Sequence, residues 1–263
     1  MFIDLNGITL GYDDVGSGAP LVLLHAFPLH RAMWAQTSAA LGREYRVITP
    51  DLRGFGESSG SERVSIAELA DDVIGLLDAL GIERASVGGL SMGGYVALNL
   101  VGRYPERVDG LILADTRAGA DDEAGRRNRA ALAEKALKQG AGAVAEQMLP
   151  KLLSAAAPQE DPQLVAEVRA LIEGAVPAAI AAASLAMGER ADSTGRLAAI
   201  MAPTLVIVGS EDSITPIAES AAMKDAIPQA SLAIIPDAGH LSNLERPAAF
   251  NRALEIFLES LDG

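Results

Sequence analysis

The chain has 263 residues, with 21 Lys and Arg against 35 Asp and Glu for a formal net charge of -14, and it contains no cysteine. That length suits one large domain or a domain carrying an insertion, the charge argues against a phosphate-binding surface, and the absent thiols exclude disulfides, thiolate catalysis and cysteine-rich zinc sites. No basic start followed by an apolar run opens the sequence and no uninterrupted stretch of about 18 apolar residues occurs, so neither a membrane nor a nucleic acid is expected as partner and a cytoplasmic location is the default.

Taken in chain order, strand-like runs lie at Ile8 to Tyr12, Leu21 to Leu24 and Arg46 to Thr49. A helix follows, because Ile66, Leu69, Val73, Leu76, Leu77 and Leu80 recur at three- and four-residue steps with Asp71, Asp72 and Asp78 on other faces. It ends at Gly81, and a short strand covers Ala85 to Val87. Next comes Gly88-Gly89-Leu90-Ser91-Met92-Gly93-Gly94, then a helical run to Arg103 that Pro105 stops. Further strands are expected at Gly110 to Ala114, Thr204 to Val208 and Leu232 to Ile235, and Asn243 to Pro247 opens a last helix. Continuous apolar runs such as Leu21 to Leu24 are typical of parallel strands covered on both faces. The alternation predicts an α/β fold, a mostly parallel central sheet with helices on both faces and ligands at the carboxyl ends of its strands.

From about Thr116 to Arg196 the alternation stops and alanine-rich helical stretches take over, punctuated by Gly140, Gly142, Pro150, Pro158, Pro162, Gly174 and Pro177. A crossover between parallel strands needs only about a dozen residues. Residues 116–196 are therefore expected to form a helical cap over the carboxyl edge, with 1–115 and 197–263 as the core. The segment contains no aromatic residue, and it is near neutral, so the excess negative charge sits on the core.

Gly-x-Ser-x-Gly between a strand and a helix is the arrangement that exposes a nucleophilic hydroxyl on a tight turn, which makes Ser91 the candidate nucleophile. Serine needs a base. His240 lies in a loop just past the last apolar strand, so it is expected to meet Ser91 at the same sheet edge; His25, which ends a buried strand, reads as a structural hydrogen-bonding residue and His30 as a loop-surface one. The base needs an acceptor to fix its tautomer, and Asp212, just past the strand at 204–208, is preferred over Asp115 and Glu211, while Asp237 is too near His240 along the chain. Backbone N–H groups of Met92 and Phe27 are the expected oxyanion donors, since Pro28 has none.

Together His25-Ala26-Phe27-Pro28, Asp51-Leu52-Arg53-Gly54-Phe55-Gly56-Glu57-Ser58, Gly89-Leu90-Ser91-Met92-Gly93, Asp212 and Asp237-Ala238-Gly239-His240 resemble the α/β-hydrolase superfamily, closest to its small carboxylesterase, enol-lactonase and cofactor-free perhydrolase branch. The matches run from about residue 8 to 258, outside the insertion. The family's chain order of serine, acid and histidine corresponds to Ser91, Asp212 and His240. Ala26 departs from the glycine the family usually has before the oxyanion donor. Serine at the elbow sets the chain apart from the dehalogenase and epoxide-hydrolase relatives, which place aspartate there.

The resemblance implies cleavage of a small ester through an acyl-enzyme, with no metal or organic cofactor. The aliphatic cap would offer Met148, Leu152, Leu185 and Met187, with Phe27 from the core, as substrate contacts; Met148 and Met187 serve equally well as packing residues. A lactone bearing a carboxylate would want a cation such as Arg117 or Arg126. Two further readings stay open: perhydrolysis, if hydrogen peroxide intercepts the acyl-enzyme, and a small-ligand receptor on the same fold. The expected partner is a small ester or lactone, and oligomeric state is left open.

Overall fold

The computed structural model describes residues 1–60 and 63–261. Positions 61–62 and 262–263 of the expected core lie outside the described residues.

Eight strands form one sheet: β1 (Phe2–Leu5), β2 (Ile8–Val15), β3 (Pro20–Leu24), β4 (Arg46–Pro50), β5 (Ala85–Leu90), β6 (Val108–Ala114), β7 (Thr204–Gly209) and β8 (Ala230–Ile235), in the spatial order β1-β2-β4-β3-β5-β6-β7-β8. The β1/β2 and β2/β4 pairs are antiparallel and every later pair is parallel. The sheet is mostly parallel, as the alternation predicts. Leu21 and Val22 point to opposite faces and both are fully buried, so helices cover the sheet on both sides. At the edge, β8 is only partly buried along most of its length.

Strand β1 has no counterpart among the expected elements. It pairs with β2 through a turn at Asn6 and Gly7, both at positive φ (48° and 76°). Asn-Gly is the dipeptide that a two-residue hairpin requires, because both central residues must adopt the left-handed region.

The helices are α1 (Ala35–Leu41), α2 (Ile66–Ala79), α3 (Met92–Arg103), α4 (Glu123–Leu152), α5 (Ala157–Glu160), α6 (Pro162–Glu173), α7 (Pro177–Glu189), α8 (Ile217–Ala226), α9 (Ser242–Glu245) and α10 (Pro247–Glu259). Helix α2 starts with a reciprocal capping box: the Ser65 hydroxyl accepts the Glu68 N–H and the Glu68 carboxylate accepts the Ser65 N–H. Its apolar face packs on α3, which in turn lies along β3, β5 and β6. On another part of the core α1 meets α10, and Trp34 stacks against Phe250 with ring centroids 6.0 Å apart.

Helices α4 to α7 fill the long connection from β6 to β7. Helix α4 is two stretches broken at Gly140, where φ is 81° and ψ 177°, and it packs on α6 and α7. No single helix among the described residues is long and apolar enough to cross a membrane.

Candidate active site at the carboxyl edge of the sheet

Ser91 sits between the end of β5 and the first residue of α3. Its backbone is held at φ 55°, ψ -109°, outside the regions a side chain normally favours. The neighbours must be small. A Cβ on Gly89 would collide with the Gly93 carbonyl, and one on Gly93 with the carbonyl of Leu24 on the adjacent strand. The turn is locked by Ser91 N–H donating to Ala114 O (2.9 Å) and by the Thr116 hydroxyl donating to Ser91 O (2.8 Å).

Two loops from the far side of the sheet close on this serine. The segment after β7 and the segment after β8 are stitched together: Ser210 N–H donates to Ile235 O, Glu211 N–H to Ala238 O, and Asp237 N–H to the Ser210 hydroxyl. This brings Asp212 and His240 together. His240 Nε2 lies 2.8 Å from Ser91 Oγ, and Nδ1 lies 2.8 Å from Asp212 Oδ2. A carboxylate only accepts, so Nδ1 carries the hydrogen and Nε2 is left to accept the Ser91 hydroxyl proton.

Asp212 is buried and takes four hydrogen bonds. Oδ1 accepts the N–H groups of Ile214 (2.8 Å) and Thr215 (3.0 Å), while Oδ2 accepts the Thr215 hydroxyl (2.5 Å) and His240. Burial alone would raise its pKa, but these bonds, first among them His240, outweigh burial and hold the carboxyl below its ordinary range. Periodicity and strand ends do not point to Thr215. Its signal is the Asp-x-x-Thr spacing, in which the aspartate side chain folds back on the backbone that follows it.

Asp115 is also buried at this edge but differently employed. It ends β6 at φ 44° and accepts the Gly209 N–H (2.8 Å) and the Ser242 hydroxyl (2.5 Å), with no bond to His240. Burial first, and the nearby Asp212 charge second, push its pKa well above the usual carboxylate range. Two carboxyls therefore sit side by side, one pushed up and one pulled down. Glu211 and Asp237 are exposed.

The loop after β3 supplies the other wall. His25 is fully buried; its Nδ1 donates to Ala26 O (3.0 Å) and its Nε2 accepts the Leu52 N–H (2.9 Å), and burial lowers its pKa to about 4. It is a neutral fastening between β3 and the loop after β4. Phe55 backs this loop edge-on, 5.3 Å from the His25 ring and 6.3 Å from Phe27. The Asp51 carboxylate accepts the N–H groups of Arg31 and Glu57 (both 2.8 Å) and pairs with the Arg31 guanidinium. Ala26 stays out of the left-handed region, so its Cβ costs the loop no strain. No acceptor among the described residues takes the N–H of Phe27 or of Met92. His30, partly exposed, caps the 3-10 turn at Arg31–Trp34.

Of the aliphatic residues expected to meet substrate, Leu152 is fully buried and its carbonyl accepts the Leu241 N–H (3.0 Å), directly beside His240. Met148 is partly buried against the core, Met187 is buried, and Leu185 is 44% exposed on the opposite side of α7. Between this helical segment and α3 lies a cleft of about 220 Å³, whose walls include Tyr95, Asn99, Arg117 and Arg190. Arg190 stacks over the Tyr95 ring at 4.1 Å, and Asp121 pairs with Arg117, Arg129 and Arg190. Despite the cost of burial, hydrogen bonds from Arg129 and Arg190 bring Asp121 down to about 2. Arg126 donates to the Asp121 carbonyl.

Residues 19–247 match the family described as alpha/beta hydrolase fold. The chain is 32% identical over 263 residues to 3-oxoadipate enol-lactonase 1 of Acinetobacter baylyi, covering 99% of this chain and 97% of that one. Among solved structures it is similar to a thermophilic esterase from Thermogutta terrifontis in its malate-bound form, with TM-score 0.95, 42% identity and coverage of 99% and 97%. The enol-lactonase from Burkholderia xenovorans LB400 aligns with TM-score 0.93 and 31% identity over 98% of this chain and all of that one.

Proposed function

The chain belongs to the α/β-hydrolase family, and from that premise we propose that it is a serine hydrolase of small carboxylic esters. The observation that carries this reading is the continuous hydrogen-bonded chain Ser91–His240–Asp212, 2.8 Å at each link, anchored on the strained turn after β5.

In the proposed mechanism His240 Nε2 takes the Ser91 proton as Oγ attacks the ester carbonyl. Charge then moves onto the carbonyl oxygen, where the N–H groups of Met92 and Phe27 stabilise it. Asp212, ionised and held by four bonds, stabilises the imidazolium and fixes the ring. His240 next protonates the departing alcohol oxygen, which leaves an acyl group on Ser91. Water, deprotonated by the same nitrogen, releases the acid and restores the serine. Hydrogen peroxide in place of that water would give a peracid.

Residues 116–196 act in this reading as the cap over the sheet edge, with Leu152 tied to the residue that follows the base. Hydrolysis of p-nitrophenyl acetate, butyrate and octanoate by the native chain and by Ser91→Ala tests it. Nitrophenol release by the native chain at least about a thousandfold above Ser91→Ala is expected. Equal release by the two would replace the esterase reading with a ligand-binding role.

A lactone bearing a carboxylate is the second reading. It is favoured by the enol-lactonase relatives, and Arg117, which lines the cleft with Tyr95 and Arg190 and pairs with Asp121, is the cation it would call on. Rapid turnover of a carboxylated enol-lactone with poor nitrophenyl ester cleavage would select it, and Arg117→Ala should then raise KM for the lactone alone.

A further inference from the structure

The residues that follow His240 are tied to several separate parts of the molecule. From the one-turn helix α9, Ser242 reaches the end of β6 at Asp115, and Asn243 Nδ2 donates to Met33 O (2.9 Å) in the turn before α1. Glu245 turns back toward the histidine. Its carboxylate is buried, and each oxygen takes one backbone donor: Oε1 the N–H of Gly239 (2.7 Å) and Oε2 the N–H of Ser154 (2.9 Å).

Those two donors belong to different bodies. Gly239 immediately precedes His240, whereas Ser154 ends the run that leaves α4. On the other side of the histidine, Leu241 N–H donates to Leu152 O (3.0 Å). Both neighbours of His240 are thus bound to residues 152–154. The approach is close enough to forbid a side chain at 239, since a Cβ there would lie 2.6 Å from Leu153 C and from Ser154 N.

We infer that Glu245 is a positioning residue that clasps the His240 loop to the end of α4, so that the imidazole and the helical segment move as one body. The inference rests on the reading of His240 as the base. A carboxylate suits the task because its two oxygens are coplanar and both accept, which fixes the spacing of two N–H groups at once. An amide keeps one acceptor and sets an NH2 against the other N–H. A substrate that pushes residues 152–154 outward would therefore drag the base away from Ser91, and bulk would be penalised in kcat rather than in KM.

The test compares the native chain, Glu245→Gln and, as control, Arg169→Ala, a surface change on α6. The measurements are kcat and KM for p-nitrophenyl acetate and octanoate, the low-field proton NMR signal of His240 Nδ1–H, and amide exchange at Gly239 and Ser154. Glu245→Gln should lose about tenfold to a hundredfold in kcat with KM within about threefold, and its low-field signal should broaden. The control should stay within about twofold on every measure. In the native chain the two amides should exchange at one shared rate. An unchanged kcat with an unchanged low-field signal overturns the clasp, as do amides that exchange independently. Should Glu245→Gln not fold, Glu245→Asp and the native exchange rates decide. Should the native chain show no Ser91-dependent turnover, the hydrolase reading falls, and the NMR signal with the exchange rates still decides for or against the clasp.

Discussion

The carboxyl edge of the sheet and the helical segment α4–α7 are built on different principles. At the edge, residues that follow β5, β7 and β8 converge through short polar bonds between particular side chains and backbone groups. The helical segment is held by small apolar contacts, with Ala136, Ala145, Ala183 and Met187 buried between its helices, and by one arginine cluster around Asp121. Polar convergence demands particular residue types at particular positions. Apolar packing demands only volume. The proposed chemistry and the proposed selectivity are thus written in two codes, one specific and one permissive.

The largest effect expected is also the sharpest test of the edge. Asp212→Asn should lower kcat by about ten-thousandfold, because an amide cannot stabilise the imidazolium or hold the same tautomer. Asp115→Asn should stay within about tenfold. The two also differ in pH dependence. Asp115 holds its proton more tightly in the folded state than its ordinary range allows, so the unfolded chain loses that proton first and stability falls as pH rises through the window. Asp212 has the opposite sign: its contribution is present above the ordinary range and is lost as pH falls through its depressed value. Denaturation of Asp115→Asn across pH should lack the decline on rising pH expected of the native chain. Near-native turnover by Asp212→Asn would reverse the assignment of the acid.

Next in size is Gly93→Ala. Its methyl group would collide with the Leu24 carbonyl and move the turn that carries Ser91. A loss of about 1–3 kcal/mol in unfolding free energy and about a hundredfold in kcat is expected, measurable by denaturant titration and ester hydrolysis. A fully active Gly93→Ala would show that the edge tolerates substitution as the helices do.

The same asymmetry explains what could be read from the chain alone. The parallel strands announced themselves through apolar runs, and Ser91, His240 and Asp212 through their places just past three of those strands. Strand β1 is hard to read from sequence because Phe2-Ile3-Asp4-Leu5 is short and lies on the sheet edge, although Asn6-Gly7 marks its turn. Thr215 and Glu245 escaped because their partners are backbone N–H groups or a side chain brought near by folding, and such bonds leave no periodicity. The choice of Asp212 over Asp115 rested on loop position. The structure adds the physical difference, four hydrogen bonds including His240 on one carboxylate, and full burial with two donors and no bond to His240 on the other. Which of Met148, Leu152, Leu185 and Met187 faces the base was beyond the sequence, since in a segment rich in alanine many rotations of a helix bury similar volumes.

Within the helical segment the arginine cluster has edge-like specificity. Asp121 at about 2, against an ordinary 3.8, corresponds to about 2 kcal/mol of stability at neutral pH. The sign makes that contribution complete above the ordinary value and lost as pH falls through about 2. Asp121→Asn should therefore unfold more readily than the native chain at pH 7, with the gap closing toward pH 2. If the gap is absent at pH 7, the cluster contributes no more than the apolar packing around it.

The last pair of substitutions tests how permissive that packing is, and its Leu185 member carries the smallest effect expected. Leu185 and Met187 lie two residues apart on α7, which separates their directions by about 200°. One is 44% exposed and the other 1%. Met187→Ala should cost about 2–5 kcal/mol, because the neighbours cannot close over the vacated volume. Leu185→Ala should leave stability within about 0.5 kcal/mol. For catalysis the expectation divides differently. If Leu185 sits beside the path of the acyl chain, its removal shifts the octanoate-to-acetate ratio of kcat/KM by a few fold, about the value of a methylene or two in an apolar contact. An unchanged ratio would assign Leu185 to bulk solvent and leave Leu152, whose carbonyl binds the residue after His240, as the residue through which the helical segment reads chain length.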